Sequence, residues 1–161
     1  MAKRNYLIEG VSGSGKSSVC SALSRRGYKA IDGDKELAYQ GDSETGRRVE
    51  GFSHHNHIWD VDKTSKLLED STDSIAFFCG GSRNFHKFID RFDKVFVLDV
   101  DDETIRRRLS NRGDNFGAKK EELELVLRLN ASKEDIPKDS ILIDATKPLN
   151  DVVDMIVAYV R

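Results

Sequence analysis

The sequence predicts a three-layer α/β domain built on one five-stranded parallel sheet. Three observations carry this. Short apolar runs of strand length alternate along the chain with segments of helical period. Strands that alternate with helices form parallel βαβ units joined by right-handed crossovers. A glycine-rich loop also lies at the first strand-to-helix junction, and 161 residues suffice for one domain with its own core.

The elements follow in order. Tyr6-Leu7-Ile8 is a short buried strand. Lys16 to Arg26 is a helix, with Val19 and Leu23 four apart on one face and Gly27 at its C-cap. Tyr28 to Ile31 is the second strand. The polar region from Lys35 to Asp70 reads as helical in pieces, and Ile58, Val61 and Leu68 make one helical stripe in it. Ser74 to Cys79 is apolar throughout and takes a central place in the sheet; Lys94 to Val100 is the fourth strand. Asp101, Asp102 and Glu103 put acids at a helix N-terminus, where the dipole favours them, and Ile105 and Leu109 are that helix's buried face. Glu121 to Ser132 is a leucine-rich helix and Ser140 to Asp144 the fifth strand. Asn150 caps a last helix that turns Val153, Ile156 and Val157 inward. One domain thus spans 1–161, with a substrate-binding insertion at about 35–70 and a lid at about 111–120.

Composition narrows the function. Charged residues make up 34% of the chain, yet the net charge is −2. That balance argues against a nucleic-acid or membrane-surface binder. No apolar run approaches the ~18 residues of a membrane helix. The apolar stretch after Met1 to Asn5 is too short for a signal peptide. Two cysteines, Cys20 and Cys79, without a C-x-x-C motif, suit a cytoplasmic protein with no disulfide framework.

The strongest motif is Gly10-Val11-Ser12-Gly13-Ser14-Gly15-Lys16-Ser17, a complete G-x-x-x-x-G-K-[ST] between a strand and a helix. Glycines let backbone N–H groups curl around phosphate oxygens, and the helix N-terminus adds positive potential. Gly10, Ser12, Gly13, Ser14, Gly15, Lys16, Ser17 and Ser18 are therefore the expected ATP-holding set. Lys16 reaches the β- and γ-phosphates, and the Ser17 hydroxyl meets Mg²⁺.

Two nucleotide-protein classes fit poorly. Asn111-Arg112-Gly113-Asp114 lacks the lysine of a guanine reader and follows a charged helix rather than ending a buried strand. Phe77-Phe78-Cys79-Gly80-Gly81 carries no carboxylate where a hydrolytic motor holds Mg²⁺ and polarises water. The acids stand elsewhere, in Asp32-Gly33-Asp34 at the end of the second strand. Ligands collect at the C-terminal ends of strands in open α/β sheets. Asp32 can hold the metal through water, and Asp34 can take the proton of an attacking hydroxyl. An Asp-Gly turn with a helix N-cap is the plain structural alternative.

"GVSGSGKSS" followed by "AIDGD" resembles the small P-loop kinases of the shikimate, gluconate and adenylate kinase type. The glycine pair in "FFCGGSRN", the segment "VFVLDVDDETIRRRLSNR" and the end "LIDATKPLNDVVDMI" are similar to their glycine turn, lid entry, and last strand and helix. The resemblance covers nearly the whole chain. It implies that Arg108 and Arg112, i and i+4 on one face, close over the ATP phosphates, and that Lys147 and Pro148 frame adenine. It implies no acceptor. The His-Pro segment of gluconate kinases is absent, and "KELAYQGDSETGRR" stands after the aspartates instead.

On the acceptor side, Gly80, Gly81 and Arg83 should face the cleft, with Arg83 able to clamp an anion. Helix capping by Ser82 or Asn84 is the structural alternative for that segment. Trp59 either packs in the core or walls the acceptor pocket. His54, His55 and His57 read as solvated or substrate-facing rather than as a metal site. The expectation is an ATP- and Mg²⁺-dependent kinase for a small-molecule hydroxyl or phosphate acceptor. A nucleoside or nucleoside-monophosphate kinase is the alternative within enzymes, and a nucleotide-binding regulatory module is the alternative outside them.

Overall fold

The computed structural model describes residues 3–110, 120–133, 137 and 139–160. The elements are β1 (Arg4–Glu9), α1 (Lys16–Arg25), β2 (Lys29–Asp32), α2 (Gly33–Glu36), β3 (Ala38–Gln40), β4 (His57–Trp59), α3 (Val61–Glu69), β5 (Ile75–Cys79), β6 (Lys94–Asp99), α4 (Asp102–Ser110), α5 (Lys120–Ser132), β7 (Ile141–Asp144) and α6 (Leu149–Val160). Five strands form one parallel sheet in the order β2-β5-β1-β6-β7.

The apolar runs are continuous because both faces of the sheet are covered. Successive residues of a strand point to opposite faces. Tyr6 and Ile8 of β1 pack with Phe77, Phe96, Val19, Leu23, Val153 and Ile156, in the layer of α1 and α6. Leu7 packs with Ile31, Phe78, Trp59, Leu68 and Phe88 in the opposite layer. Phe77 and Phe78 are both fully buried, one on each side. Each such side chain stabilises the fold by roughly 1.5–3 kcal/mol. Strand and helix ends behave as the sequence suggests at Gly27, where Gly27 N–H bonds Ser24 and Tyr28 N–H bonds Leu23, closing α1 in a Schellman turn.

Two expectations need correction. Ile58 lies in β4, not on a helix, because β3 and β4 form an antiparallel hairpin inside the polar insertion. α3 begins only at Val61, after Asp60 accepts the Lys63 N–H at 2.9 Å. Val61 and Leu68 do share that helix. Asn150 lies within α6 rather than capping it, since the Pro148 carbonyl takes the Val152 N–H one turn earlier. Among the described residues, no helix is long and apolar enough to cross a membrane. The lid at 111–120 lies outside the described residues except for Lys120, the first residue of α5.

Candidate active site

The loop after β1 wraps onto α1. Gly15 precedes that helix at φ 102°, a left-handed conformation open to glycine, and its carbonyl receives the Val19 N–H. Lys16 donates from Nζ to the Gly10 carbonyl, across the mouth of the loop. Two cavities adjoin the loop and share Gly13. One, of about 260 Å³, is lined by Gly10, Ser12, Gly13, Lys16 and Ser17 together with Asp34, Gly81, Arg83 and Glu9. The other, of about 390 Å³, is lined by Gly13, Ser14, Gly15, Ser18, Arg108 and Lys147. The cradle of glycines, the lysine and the exposed Ser17 hydroxyl fit a triphosphate with its magnesium ion.

The two aspartates after β2 part company. Asp32 caps α2: its Oδ1 accepts the Lys35 N–H at 3.3 Å, while the Glu36 carboxylate accepts the Asp32 N–H at 2.9 Å. It is not among the residues lining either cavity. Asp34 does line the first cavity, where its Oδ1 lies 2.9 Å from Nε2 of His57. Burial pushes its pKa up, but the His57 hydrogen bond and the Lys16 charge prevail and hold it below the ordinary aspartate value.

A second carboxylate faces the same cavity. Glu9 ends β1 with 2% of its surface exposed. Burial drives its pKa up to about 7, against the opposing charges of Lys16 and Arg83. Its Oε1 accepts the Gly10 N–H at 2.9 Å, and among the described residues Oε2 has no hydrogen-bond partner. The sequence reading passed over Glu9. The signal was present: one acid follows the apolar run Tyr6-Leu7-Ile8 at the sheet edge where ligands gather.

The glycine pair after β5 makes room for both acids. A Cβ on Gly80 would stand 2.8 Å from Oδ1 of Asp34, and one on Gly81 would stand 2.6 Å from Oε1 of Glu9. Gly81 lines the cavity and Gly80 lies behind Asp34. Arg83 lines the cavity, and its backbone N–H bonds the His57 carbonyl at 2.9 Å. Neither Ser82 nor Asn84 caps a helix with its side chain. The Asn84 amide instead grips both backbone groups of Trp59, accepting its N–H at 3.1 Å and donating to its carbonyl at 3.0 Å.

Trp59 is therefore a core residue, not a wall of the cavity. It is 1% exposed and stacks on Phe88 with centroids 5.6 Å apart and planes 5° from parallel. Phe52, 70% exposed, is the aromatic side chain at the cavity, beside His54, His57, Val126 and Leu129. Phe52 gave no sequence signal, because its direction depends on the hairpin. The histidines were visible, but their facing was not. Among the described residues, no three His, Cys, Asp or Glu side chains converge as a metal site.

Arg108 belongs to the second cavity. Its guanidinium bonds the carbonyls of Gly13, Ser14 and Ala145 at 3.2, 3.0 and 2.7 Å, tying α4 to the loop and to the turn after β7. Lys147 lines this cavity, and Pro148 begins the turn into α6 without lining it. Arg106 is exposed, and Arg112 lies outside the described residues.

Residues 7–127 match the family model described as an AAA domain. No curated protein matches the chain by sequence. Among solved structures the chain is similar to a gluconokinase from Sinorhizobium meliloti 1021, with 18% identity and a TM-score of 0.60 over 96% of this chain and 90% of that one. It is similar to a shikimate kinase from Bacteroides thetaiotaomicron, with 14% identity and a TM-score of 0.62 over 98% of each chain. A deoxyadenosine kinase from M. mycoides, solved with bound dATP, gives 17% identity and a TM-score of 0.54, again over 98% of each chain. The chain belongs to the AAA domain family, and its fold is that of the small P-loop kinases.

Proposed function

We propose that the protein is an ATP- and Mg²⁺-dependent kinase that transfers the γ-phosphoryl group to a hydroxyl of a small molecule. The observation that carries this reading is the placement of Asp34. A carboxylate held in its ionised form opens into the same cavity as Lys16 and Ser17. A hydrolytic site needs only water there; a cavity walled by Phe52, Val126 and Leu129 and floored by two carboxylates suits an organic acceptor.

The roles follow from position. Lys16 and the loop N–H groups hold the β- and γ-phosphates, and the Ser17 hydroxyl would hold the magnesium ion. When bound, magnesium would supply charge neutralisation to the triphosphate. Asp32 would assist the metal only through water and its second oxygen, since Oδ1 caps α2. Asp34 takes the acceptor's proton as its oxygen attacks in line. Arg83 and Glu9 hold the rest of the acceptor: Arg83 as a cation, Glu9 as an acceptor of hydrogen bonds through Oε2. Arg108, Lys147 and the Pro148 turn flank the nucleoside side. Arg112 keeps the role of a lid arginine.

A panel of hydroxyl and phosphate acceptors at fixed Mg-ATP, read as ADP release, tests this. The expected result is acceptor-dependent ADP formation that disappears in Lys16→Ala and falls steeply in Asp34→Asn. Acceptor-independent hydrolysis alone would overturn the reading. Arg83 and the flat Phe52 ring favour a nucleoside or nucleoside monophosphate as the second acceptor class, and the same panel separates it from polyols. Tight nucleotide binding without turnover would point to a regulatory module.

A further inference from the structure

We infer that His57 is a positioning residue for phosphoryl transfer: by donating Nε2–H to Oδ1 of Asp34 it aims the other carboxylate oxygen at the acceptor hydroxyl. The inference rests on the kinase reading and adds to it a residue that the phosphate loop and the aspartate pair do not specify.

Asp34 stands on α2, a helix of four residues, and half-exposed on the cavity side a carboxylate there would sample several rotamers. Two surroundings narrow them. Gly80 leaves space behind Oδ1 that any side chain would fill, so the carboxylate sits back against the strand end. His57 then meets the same oxygen from the hairpin at 2.9 Å. An ionised carboxylate only accepts hydrogen bonds, so the imidazole is the donor.

The imidazole itself is held by the core. His57 pairs with Gln40 across the hairpin, and its carbonyl takes the Arg83 N–H. Two residues on, both backbone groups of Trp59 are bound by Asn84, and the indole is stacked on Phe88. Gly33 admits that indole: a Cβ there would lie 2.2 Å from the ring. The hairpin therefore transmits a rigid core position to Asp34 through the His57 hydrogen bond, with the Trp59 indole beside the same carboxylate. Lys16 is the other charge on Asp34 that favours its ionised form. It belongs to the donor side, so the contacts that orient the carboxylate from the hairpin are the His57 imidazole and the adjoining Trp59 indole.

The test uses the full chain and an acceptor found active with wild type. His57→Ala should lower kcat about tenfold to a hundredfold, the scale of a small misplacement of a reacting group. The KM for ATP should not move. His57→Gln, whose amide N–H can replace Nε2–H, should recover most of the loss. In an Asp34→Asn background, His57→Ala should cost little more, because the effect travels through Asp34. His55→Gln, an exposed neighbour outside the cavity, serves as control. An unchanged kcat in His57→Ala, a loss confined to the KM for ATP, or the full loss repeated on Asp34→Asn would overturn the inference. A readout without turnover keeps the two claims apart. The imidazole nitrogen resonances should report a proton on Nε2 hydrogen-bonded to the carboxylate in wild type and lose that signature in Asp34→Ala. Absence of the signature in wild type overturns the positioning, whereas a silent acceptor panel overturns only the kinase reading.

Discussion

The phosphate loop offers its backbone over one contiguous run from Gly10 to Ser18, whereas the acceptor cavity collects Glu9, Asp34, His57 and Arg83 from four separate places in the chain. The loop rests on β1 behind it, α1 ahead and Arg108 of α4, which bonds the Gly13 and Ser14 carbonyls. The cavity depends on the β3–β4 hairpin, on the glycine pair after β5 and on Asn84 to bring its side chains together. On the kinase reading proposed above, the donor side is thus mostly local in sequence, while the acceptor side is delocalised. Changes at a distance from the cavity should therefore damage acceptor chemistry before they damage nucleotide binding.

The largest effects fall where the two halves meet. Lys16→Ala should remove turnover and weaken nucleotide binding together. Asp34→Asn should leave binding of a nonhydrolysable ATP analogue intact and lower kcat about 10²- to 10⁴-fold, the usual contribution of a general base. Calorimetry with the analogue and steady-state kinetics check both. Equal damage to binding by the two variants would erase the distinction between the halves.

That distinction also explains what was legible beforehand. The sheet, its helices and the loop could be read because each depends on short-range pattern: a buried β1, a helical face in α1, Gly15 and Lys16 at fixed spacing. Asp34 was legible as an acid beside the loop. The direction of His57 and Phe52 was not, because three-residue strands flanked by polar residues leave no period to detect. Trp59 was ambiguous for the same reason, and only its stack on Phe88 decides it. Asp32 and Asp34 look equivalent in sequence. A helix of four residues separates them by turning one into a cap.

Glu9 tests the acceptor half through stability alone. Its pKa stands at about 7 in the fold against 4.5 when unburied. Below 4.5 it is protonated in both states and has no effect. Between 4.5 and 7 the folded form binds the proton more tightly, so this group's contribution to stability falls as pH rises through that window. Above 7 the buried carboxylate stays ionised at a cost of up to roughly 3 kcal/mol. Glu9→Gln keeps the bond to the Gly10 N–H and removes the charge. The ligand-free variant should unfold at the same temperature as wild type near pH 4 and at a higher one at pH 8. No gain at pH 8 would mean that Lys16 and Arg83 already compensate the acid.

Gly81→Ala probes the same carboxylate from below. Its Cβ would meet Oε1 of Glu9 at 2.6 Å, so the side chain must move. Overpacking of this kind costs about 1–3 kcal/mol. Because Oε1 also holds the Gly10 N–H, the displaced carboxylate should raise both acceptor KM and ATP KM. Combining Gly81→Ala with Glu9→Ala, which removes the carboxylate that the new Cβ meets, should be less than additive, as the two changes share one contact. Additive losses in thermal unfolding would place the clash elsewhere.

The smallest expected effect separates the two aspartates. If Asp32 serves α2 chiefly as its cap, Asp32→Ala should cost about 1 kcal/mol of stability, and Asp32→Asn almost nothing, because asparagine caps as well as aspartate. Activity then discriminates between cap and metal partner. An Asp32→Asn variant that keeps wild-type stability and wild-type dependence of kcat on magnesium concentration leaves the metal to Ser17 and the phosphates. A variant equally stable but needing far more magnesium returns Asp32 to the metal, acting through the oxygen that does not bond Lys35. The measurement thereby locates the border between the halves, at the end of β2, where one aspartate faces the fold and the other faces the cavity.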